Sequence, residues 1–450
     1  MNERRSGGTC STGFCCVFLL VCAVRSAGAT GTSAQAHPVV LPALNPAFSP
    51  VAAENQPLLF NRLIMAFARD YAAYSMRNQD KALNDGMTVY YLQRELQALV
   101  DMWWATGSRS YLDQATNRTL RALKEAVVNP RPLIWHGESR GEWPCFYLET
   151  VLAETGGHSQ LCDFQGSVGF LMVARVLQQL DRPEWKDIAD FVERDIVEKW
   201  LYYHSSMTAE QLRGRKANMY LITALNSGRD VREHFACICL DLQALGYRTY
   251  PYADWAKMLI DLYLTPRYDA DEPAPHQAEL AQRVPGDWGL LDRMADGYVW
   301  LSVPSYDPNG PTDSMDTSHA NRTAWLASRA CSEALTNKST ILDLTNTFRF
   351  QIWAPDKGPF YFNNYVDGYD GDLNGLTAGR GGNVWFGWHR LAAFDDGLRI
   401  LFLSLAYDLT NGGPNLPAGA QNKTMQEAPL CLEAWAARLL SPQGQPYRFP

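Results

Sequence analysis

The stretch Asp316–Trp325, DTSHANRTAW, brings a carboxylate, an imidazole, a carboxamide and a guanidinium together within seven residues. At the start of an amphipathic helix these groups would line a polar cleft. The imidazole of His319 can take or orient a proton, and Asn321 and Arg322 can hold a carboxylate, the guanidinium by a two-pronged grip. The same residues have a plainer use, with Asp316 or Ser318 capping the helix and His319 satisfied by Asp316. Asn321-Arg322-Thr323 is also an N-glycosylation acceptor pattern, which demands an exposed asparagine. A glycan there would block the cleft. The expectation is therefore a bare Asn321, with the sequons at Asn117, Asn337 and Asn422 as the better glycan sites.

Two other loop-like segments concentrate rings and hydrogen-bonding groups. Trp135–Pro144 supplies His136, Glu142 and Trp143. Phe360–Asp370, continuing through Gly379–Trp385 to His389, supplies Asn364, Tyr365, Tyr369, Arg380 and Trp385, with Arg380 set among glycines that allow close approach to a ligand. Aromatic faces that stack on sugar rings, beside side chains that fork onto hydroxyls and carboxylates, suit a saccharide cleft. The plain alternative is that these rings belong to the core.

The elements that must position these segments are helices in pairs. Tyr91, Leu92, Leu96, Leu99, Val100 and Trp103 line one face of a helix that stops at Gly107, and a second runs from Tyr111 to Val127, ending at Asn129-Pro130. The scheme recurs in Phe170–Leu180 with Pro183–Trp200, His234–Leu245 with Tyr252–Leu264, Trp325–Leu335 with Ile341–Trp353, and Phe394–Thr410 with Pro429–Leu440. Hairpins without Val/Ile-rich strand runs between them predict an all-α fold. Their uneven spacing excludes a short-repeat solenoid and points to an α/α toroid, an incomplete barrel of helical hairpins whose loops build a cleft at one end. Residues 37–450 read as one domain, with Thr265–Pro285 a long surface loop.

Arg4-Arg5, the apolar run Phe14–Val24 and the small residues through Ala36 have the layout of a secretory signal peptide, so residues 1–36 are set aside as a leader. The expected product is secreted, with no membrane anchor. Loss of Arg4, Arg5, Arg25 and Glu3 takes the formal charge from −8 to about −10, which disfavours nucleic acid as a partner. Six cysteines remain, Cys145, Cys162, Cys237, Cys239, Cys331 and Cys431, and an oxidising compartment permits disulfides, Cys145–Cys162 being the best pairing. Cys237-Ile-Cys239 has no second ligand pair at zinc spacing, so no metal site is expected.

Asp316-Thr-Ser-His-Ala-Asn resembles the Asp-x-Ser-His-x-Asn element of toroidal uronate-polysaccharide lyases, nearest to polysaccharide lyase family 38 (alginate and glucuronan lyases). Asp367-Gly368 and Gly387-Trp388 through Leu391 have the look of the same group, and the resemblance covers roughly Trp300–Asp396. The Asn-Asn-His element of another toroidal alginate lyase family is missing. The resemblance implies β-elimination on an anionic polysaccharide without metal or cofactor. His319, Tyr365 or Tyr369, and Arg380 would be catalytic; Asp316, Asn321, Arg322, His136, Glu142, Trp143, Asn364 and Trp385 would bind substrate. The chemistry is consistent with those types: a base must remove the weakly acidic C5 proton, cations must neutralise the uronate carboxylate, and a phenol can serve O4. Two alternatives stay open: an inverting glycoside hydrolase recruiting Asp316, Glu142 and Glu149, and a secreted saccharide-binding protein without activity.

Overall fold

The computed structural model describes residues 55–203, 229–264, 291–293, 299–301, 315–336, 338–366, 368–369, 384–411 and 427–442. The chain divides into Met1–Asn45 and Pro46–Pro450, and every described residue falls in the second unit. The expected leader at residues 1–36, the Thr265–Pro285 segment, Asn337, Asp367, Arg380 and Asn422 lie outside the described residues.

The fold is all-α. Its helices are α1 (Gln56–Asn78), α2 (Gly86–Thr106), α3 (Arg109–Val128), α4 (Leu152–Thr155), α5 (Gln160–Gln179), α6 (Glu184–Phe191), α7 (Glu198–Tyr203), α8 (Arg229–Ala244), α9 (Tyr252–Leu264), α10 (Thr317–Ser332), α11 (Lys338–Thr347), α12 (Asp396–Thr410) and α13 (Glu427–Leu440). Two short antiparallel hairpins interrupt them, β1 (Arg131–Trp135) with β2 (Glu138–Trp143) and β3 (Leu291–Arg293) with β4 (Val299–Leu301).

Local chemistry sets the helix limits. The Asp85 side chain accepts from Thr88 N at the start of α2, and Gly107, at φ +69°, ends that helix by returning its N–H to Trp103 O. Ser159 caps α5 and Asp395 caps α12 in the same way. Pro183 precedes α6, where its missing N–H costs nothing, and a wide turn at Val192–Val197 carries the chain into α7.

Burial separates two kinds of helix. In α2, Leu92–Met102 are buried on every face, as are Cys162–Leu177 in α5, residues 231–242 in α8, Ala320–Ala330 in α10 and Leu430–Leu439 in α13. By contrast α1 buries Leu59, Leu63, Phe67, Tyr71 and Tyr74, and α3 buries Leu112, Ala115, Thr119 and Ala122, one stripe each. The fully buried helices are consecutive neighbours: α2 packs on α5, α5 on α8, α8 on α10, and α13 on α2. A 3-10 turn at Trp388–Ala393 touches both α10 and α13. Behind them, α3 packs on α2, α6 on α5, α9 on α8 and α11 on α10, the partner in each pair being the helix before it in the sequence.

Several expectations are corrected. Trp135–Pro144 is not a loop but a β-hairpin, turned by His136 (φ +49°) and Gly137 (φ +84°), the two positive values that a twisted two-residue turn requires. Its base is fixed by buried Lys199, whose Nζ meets Asp163 (2.7 Å), His158 Nδ1 (3.3 Å) and Pro144 O (3.2 Å). All six cysteines beyond the leader are free thiols, so the Cys145–Cys162 disulfide is absent. Both are buried, Cys145 contacting Gly157 O and Cys162 lying in the first turn of α5, and burial pushes each thiol up to about 12.

Candidate active site

The first turn of α10 is built by Asp316. Its Oδ1 accepts from Ser318 N (2.9 Å) and His319 N (3.0 Å), capping the helix, while Oδ2 makes a short hydrogen bond with His319 Nδ1. The structural and chemical readings of this aspartate therefore hold together. Burial alone would raise the Asp316 carboxyl, but the His319 hydrogen bond and charge, aided by Arg322, hold it below the ordinary carboxylate value. With Nδ1–H given to Asp316, the neutral ring carries its lone pair on Nε2, and the His319 side chain retains 29% exposure.

Residues 363–366 lie along this helix start. Thr317 N donates to Asn364 O (2.8 Å), Val366 N to Met315 O (3.0 Å), and Tyr365 N to Tyr369 O (3.0 Å), with the two tyrosine rings 5.6 Å apart. A second loop is clamped by Asn321, whose Oδ1 accepts from Phe386 N and Trp388 N, both at 3.2 Å. Asn321 is 2% exposed, so in the folded chain its amide is inaccessible to glycosylation. Asn117, by comparison, is exposed, on the outer surface of α3 rather than in a turn. Between the two clamped amides, Gly387 runs so close to α10 that a Cβ would stand 1.7 Å from Asn321 O. Gly387→Ala should therefore destabilise the chain by about 2–3 kcal/mol, the scale of an overpacked core, as read by urea unfolding. A loss below about 0.5 kcal/mol would mean that the loop moves away without cost.

The clamped loop closes a small solvent-open cleft, lined among the described residues by Gln93 and Arg94 of α2, Gln165 of α5, His234 and Cys237 of α8, Ser318, Asn321, Arg322 and Trp325 of α10, and Phe386. Arg322 is held rigidly: Nε donates to His234 Nε2 (2.9 Å), and Nη2 to Tyr90 Oη (2.6 Å) and Gln165 Oε1 (2.9 Å). Burial, with Arg322 and Arg94 adding to it, lowers His234 far enough to keep it neutral, which suits an acceptor. Arg94 is 5% exposed, and its Nε and Nη1 have no hydrogen-bond partner among the described residues. Rings surround its guanidinium instead, Phe386 at 3.4 Å, Tyr91 at 5.0 Å and Tyr90 at 5.3 Å. Among the described residues, no carboxylate lines the cleft. The lining residues of α2, α5, α8 and α10 come largely from their N-terminal halves.

Such a cleft can hold an anion on two guanidiniums, and one turn before Arg322 on α10 stands an imidazole oriented by a carboxylate. Of the residues expected from sequence, Asn321 and Arg322 line this cleft, while Asp316, His319, Asn364, Tyr365 and Tyr369 gather at the start of α10, the helix that carries them. Their tasks differ from expectation in part. Asn321 holds a loop, and Asn364 meets α10 through its main-chain oxygen, which also accepts from Thr317 Oγ1. Trp385 is 1% exposed and packs edge-on against Phe362 at 6.0 Å, so it is core and presents no face to a sugar. His136 and Glu142 are exposed on the β1–β2 hairpin, and Trp143 gives its indole N–H to Arg140 O. Among the described residues, no hydrogen bond or ring contact joins these three to α10. Arg390 is not in the cleft either; it pairs with Asp101 at 2.6 Å. Tyr90, Gln93, Arg94, Gln165, His234 and Phe386 are the site residues that sequence reasoning missed. Comparison with protein-family models, with curated proteins and with solved structures finds no match.

Proposed function

We propose that this chain is a secreted polysaccharide lyase that cleaves a 4-linked uronic-acid polymer by β-elimination, with its fully buried helices forming the inner layer of an α/α toroid. The toroid is supported by the packing of α2 on α5, α5 on α8 and α8 on α10, by the turn at Trp388–Ala393 that bridges α10 to α13, by α13 packing on α2, and by a second helix behind most of them. The observation that carries the functional reading is the pair Arg94 and Arg322 in a cleft with no carboxylate among its described lining residues, with the Asp316–His319 couple at the start of the helix that carries Arg322. A buried guanidinium with unbonded N–H groups is costly unless a ligand anion completes it.

In the proposed reaction the uronate carboxylate lies against Arg94 and Arg322, which stabilise the charge that develops on it when C5 loses its proton. His319 Nε2 accepts that proton, the C5–H electron pair becomes the C4=C5 double bond, and the C4–O4 bond breaks. O4 receives a proton from a phenol. Tyr90 is the best placed for this, because its oxygen already accepts from Arg322 Nη2 and its own O–H is left to donate. Tyr365 and Tyr369, beside Asp316, are the other candidates. An inverting hydrolase needs two carboxyl groups flanking the bond, and exposed Glu142 and Glu149 are not among the described residues that line the cleft.

Incubation of the secreted protein with alginate, glucuronan and glycosaminoglycans tests the proposal. The expected result is growth of ultraviolet absorbance from the conjugated unsaturated end on one of these polymers. New reducing ends without that absorbance would establish hydrolysis instead, and tight binding without cleavage would leave a saccharide-binding protein.

A further inference from the structure

Two guanidiniums line the cleft at α2 and α10, and their surroundings differ. Arg322 donates Nε to His234 Nε2 and Nη2 to Tyr90 Oη and Gln165 Oε1, all neutral acceptors. Arg94 is buried among the rings of Phe386, Tyr91 and Tyr90, and its Nε and Nη1 have no hydrogen-bond partner among the described residues. Ring faces offset part of a cation's lost hydration, but its in-plane N–H groups bond far more strongly to an anion. Burial, with the like charge of Arg322 added to it, pulls Arg94 below the ordinary arginine pKa. Glu427 attracts it, but makes no hydrogen bond to Nε or Nη1.

The lining narrows what can complete these charges in the absence of substrate. A metal ion would face two guanidiniums and, among the described lining residues, no carboxylate. A water molecule offers an oxygen to the N–H groups but leaves both charges uncompensated. The free space is small, on the order of one or two water molecules. A monatomic anion meets size and charge together, because it needs no orientation and accepts from several N–H groups at once. Chloride is the abundant anion of that kind.

We infer that the cleft holds one chloride ion at the Arg94 guanidinium, beside that of Arg322, whenever no larger anion occupies it. Chloride then competes with the uronate carboxylate for Arg94, a consequence that, unlike the ion site itself, rests on the lyase proposal.

Thermal unfolding of the full-length secreted protein across a chloride series, with ionic strength held constant by sodium methanesulfonate, tests the site. An ion that binds only the folded chain raises the midpoint, by about 3 °C for a chain of this size at a hundredfold excess over Kd. The wild-type midpoint should rise in this way and that of Arg94→Met should not, so any stability advantage of the variant should narrow as chloride is added. Bromide in place of chloride should give an anomalous diffraction peak beside the Arg94 guanidinium, a readout that needs no variant. On a uronate polymer, chloride should raise KM and leave kcat unchanged. If no such polymer is cut, the midpoint and the bromide peak still judge the ion site. A KM indifferent to chloride in a protein that binds it would overturn the competition alone. A wild-type midpoint indifferent to chloride, an equal response in Arg94→Met, or crystals in bromide without a peak at Arg94 would overturn the inference.

Discussion

Arg94→Met is expected to raise stability and remove activity together. The guanidinium is 5% exposed, two of its nitrogens have no partner among the described residues, and it makes no ion pair among them. Burial already pulls its pKa below the ordinary arginine value, against the attraction of Tyr90 and Glu427. Methionine fills a similar volume between Phe386 and Tyr91 with no charge to desolvate, so unfolding should cost about 1–3 kcal/mol more in the variant, the range seen when buried charge gives way to apolar packing. On a uronate polymer the same change should lower kcat/KM by about 10²–10³-fold, in both kcat and KM, since the guanidinium grips the carboxylate in the ground state and more strongly as charge develops. Opposed signs in the two measurements are the signature of a group kept for function at a cost to the fold. Thermal unfolding and steady-state kinetics on one preparation decide it. A destabilised Arg94→Met protein would make Arg94 a packing residue, and unchanged turnover would take it out of the site.

The missed residues share one cause, seen best on α2. The apolar stripe Tyr91, Leu92, Leu96, Leu99, Val100 and Trp103 was legible, and with it the helix and its stop at Gly107. The remaining stripe, Tyr90, Gln93, Arg94, Gln97, Asp101 and Trp104, has the polar composition that marks a solvent face on an ordinary surface helix. Here Gln93 is 4% exposed, Gln97 0% and Asp101 1%, because a helix packed on all sides turns its polar stripe toward other helices. Periodicity measures the angle between two faces and says nothing about whether the polar one meets water. The same effect hid the start of α5, where Asp163, Gln165 and Ser167 made the ten helical residues before Phe170, eight of them buried, look irregular. Pairings across the chain, such as Arg322 with Tyr90, Gln165 and His234, arise from helix neighbours far apart in sequence. The motif at Asp316 was readable because its capping and its imidazole contact are local, within three residues. In the glycine-bearing loop, composition placed an aromatic ring at the cleft but not which one: Trp385 turns into the core and Phe386 covers Arg94.

His319→Ala, in contrast to Arg94→Met, should leave KM nearly unchanged and lower kcat by about 10²-fold or more, the usual loss when a general base is removed. His319 contributes its main-chain N–H to the Asp316 cap, and alanine keeps that N–H, so circular dichroism should change little, while the unfolding midpoint should fall because the buried Asp316 carboxylate loses its imidazole partner. Asp316→Asn separates the two tasks of the aspartate. Asparagine is as good an N-cap, so α10 should still start at Thr317, but the carboxamide no longer pairs electrostatically with the imidazole or fixes its proton on Nδ1. Activity should fall while the helix stays. The pH dependence has a definite sign: the folded Asp316 carboxyl is held below its ordinary value, so its contribution to stability is present above about pH 4 and is lost as pH falls through the lowered value. The stability gap between wild type and Asp316→Asn should accordingly be full at neutral pH and close in acid below about pH 4, a closure that a purely steric role for Asp316 would not produce. Tyr90→Phe completes the set, removing one oxygen and a hydrogen bond to Arg322 while keeping the ring against Tyr91. It should be nearly inactive if Tyr90 serves O4, with Tyr365→Phe and Tyr369→Phe retaining most turnover. A well-folded His319→Ala protein with wild-type turnover on a uronate polymer would end the assignment of the base, whatever the tyrosines do.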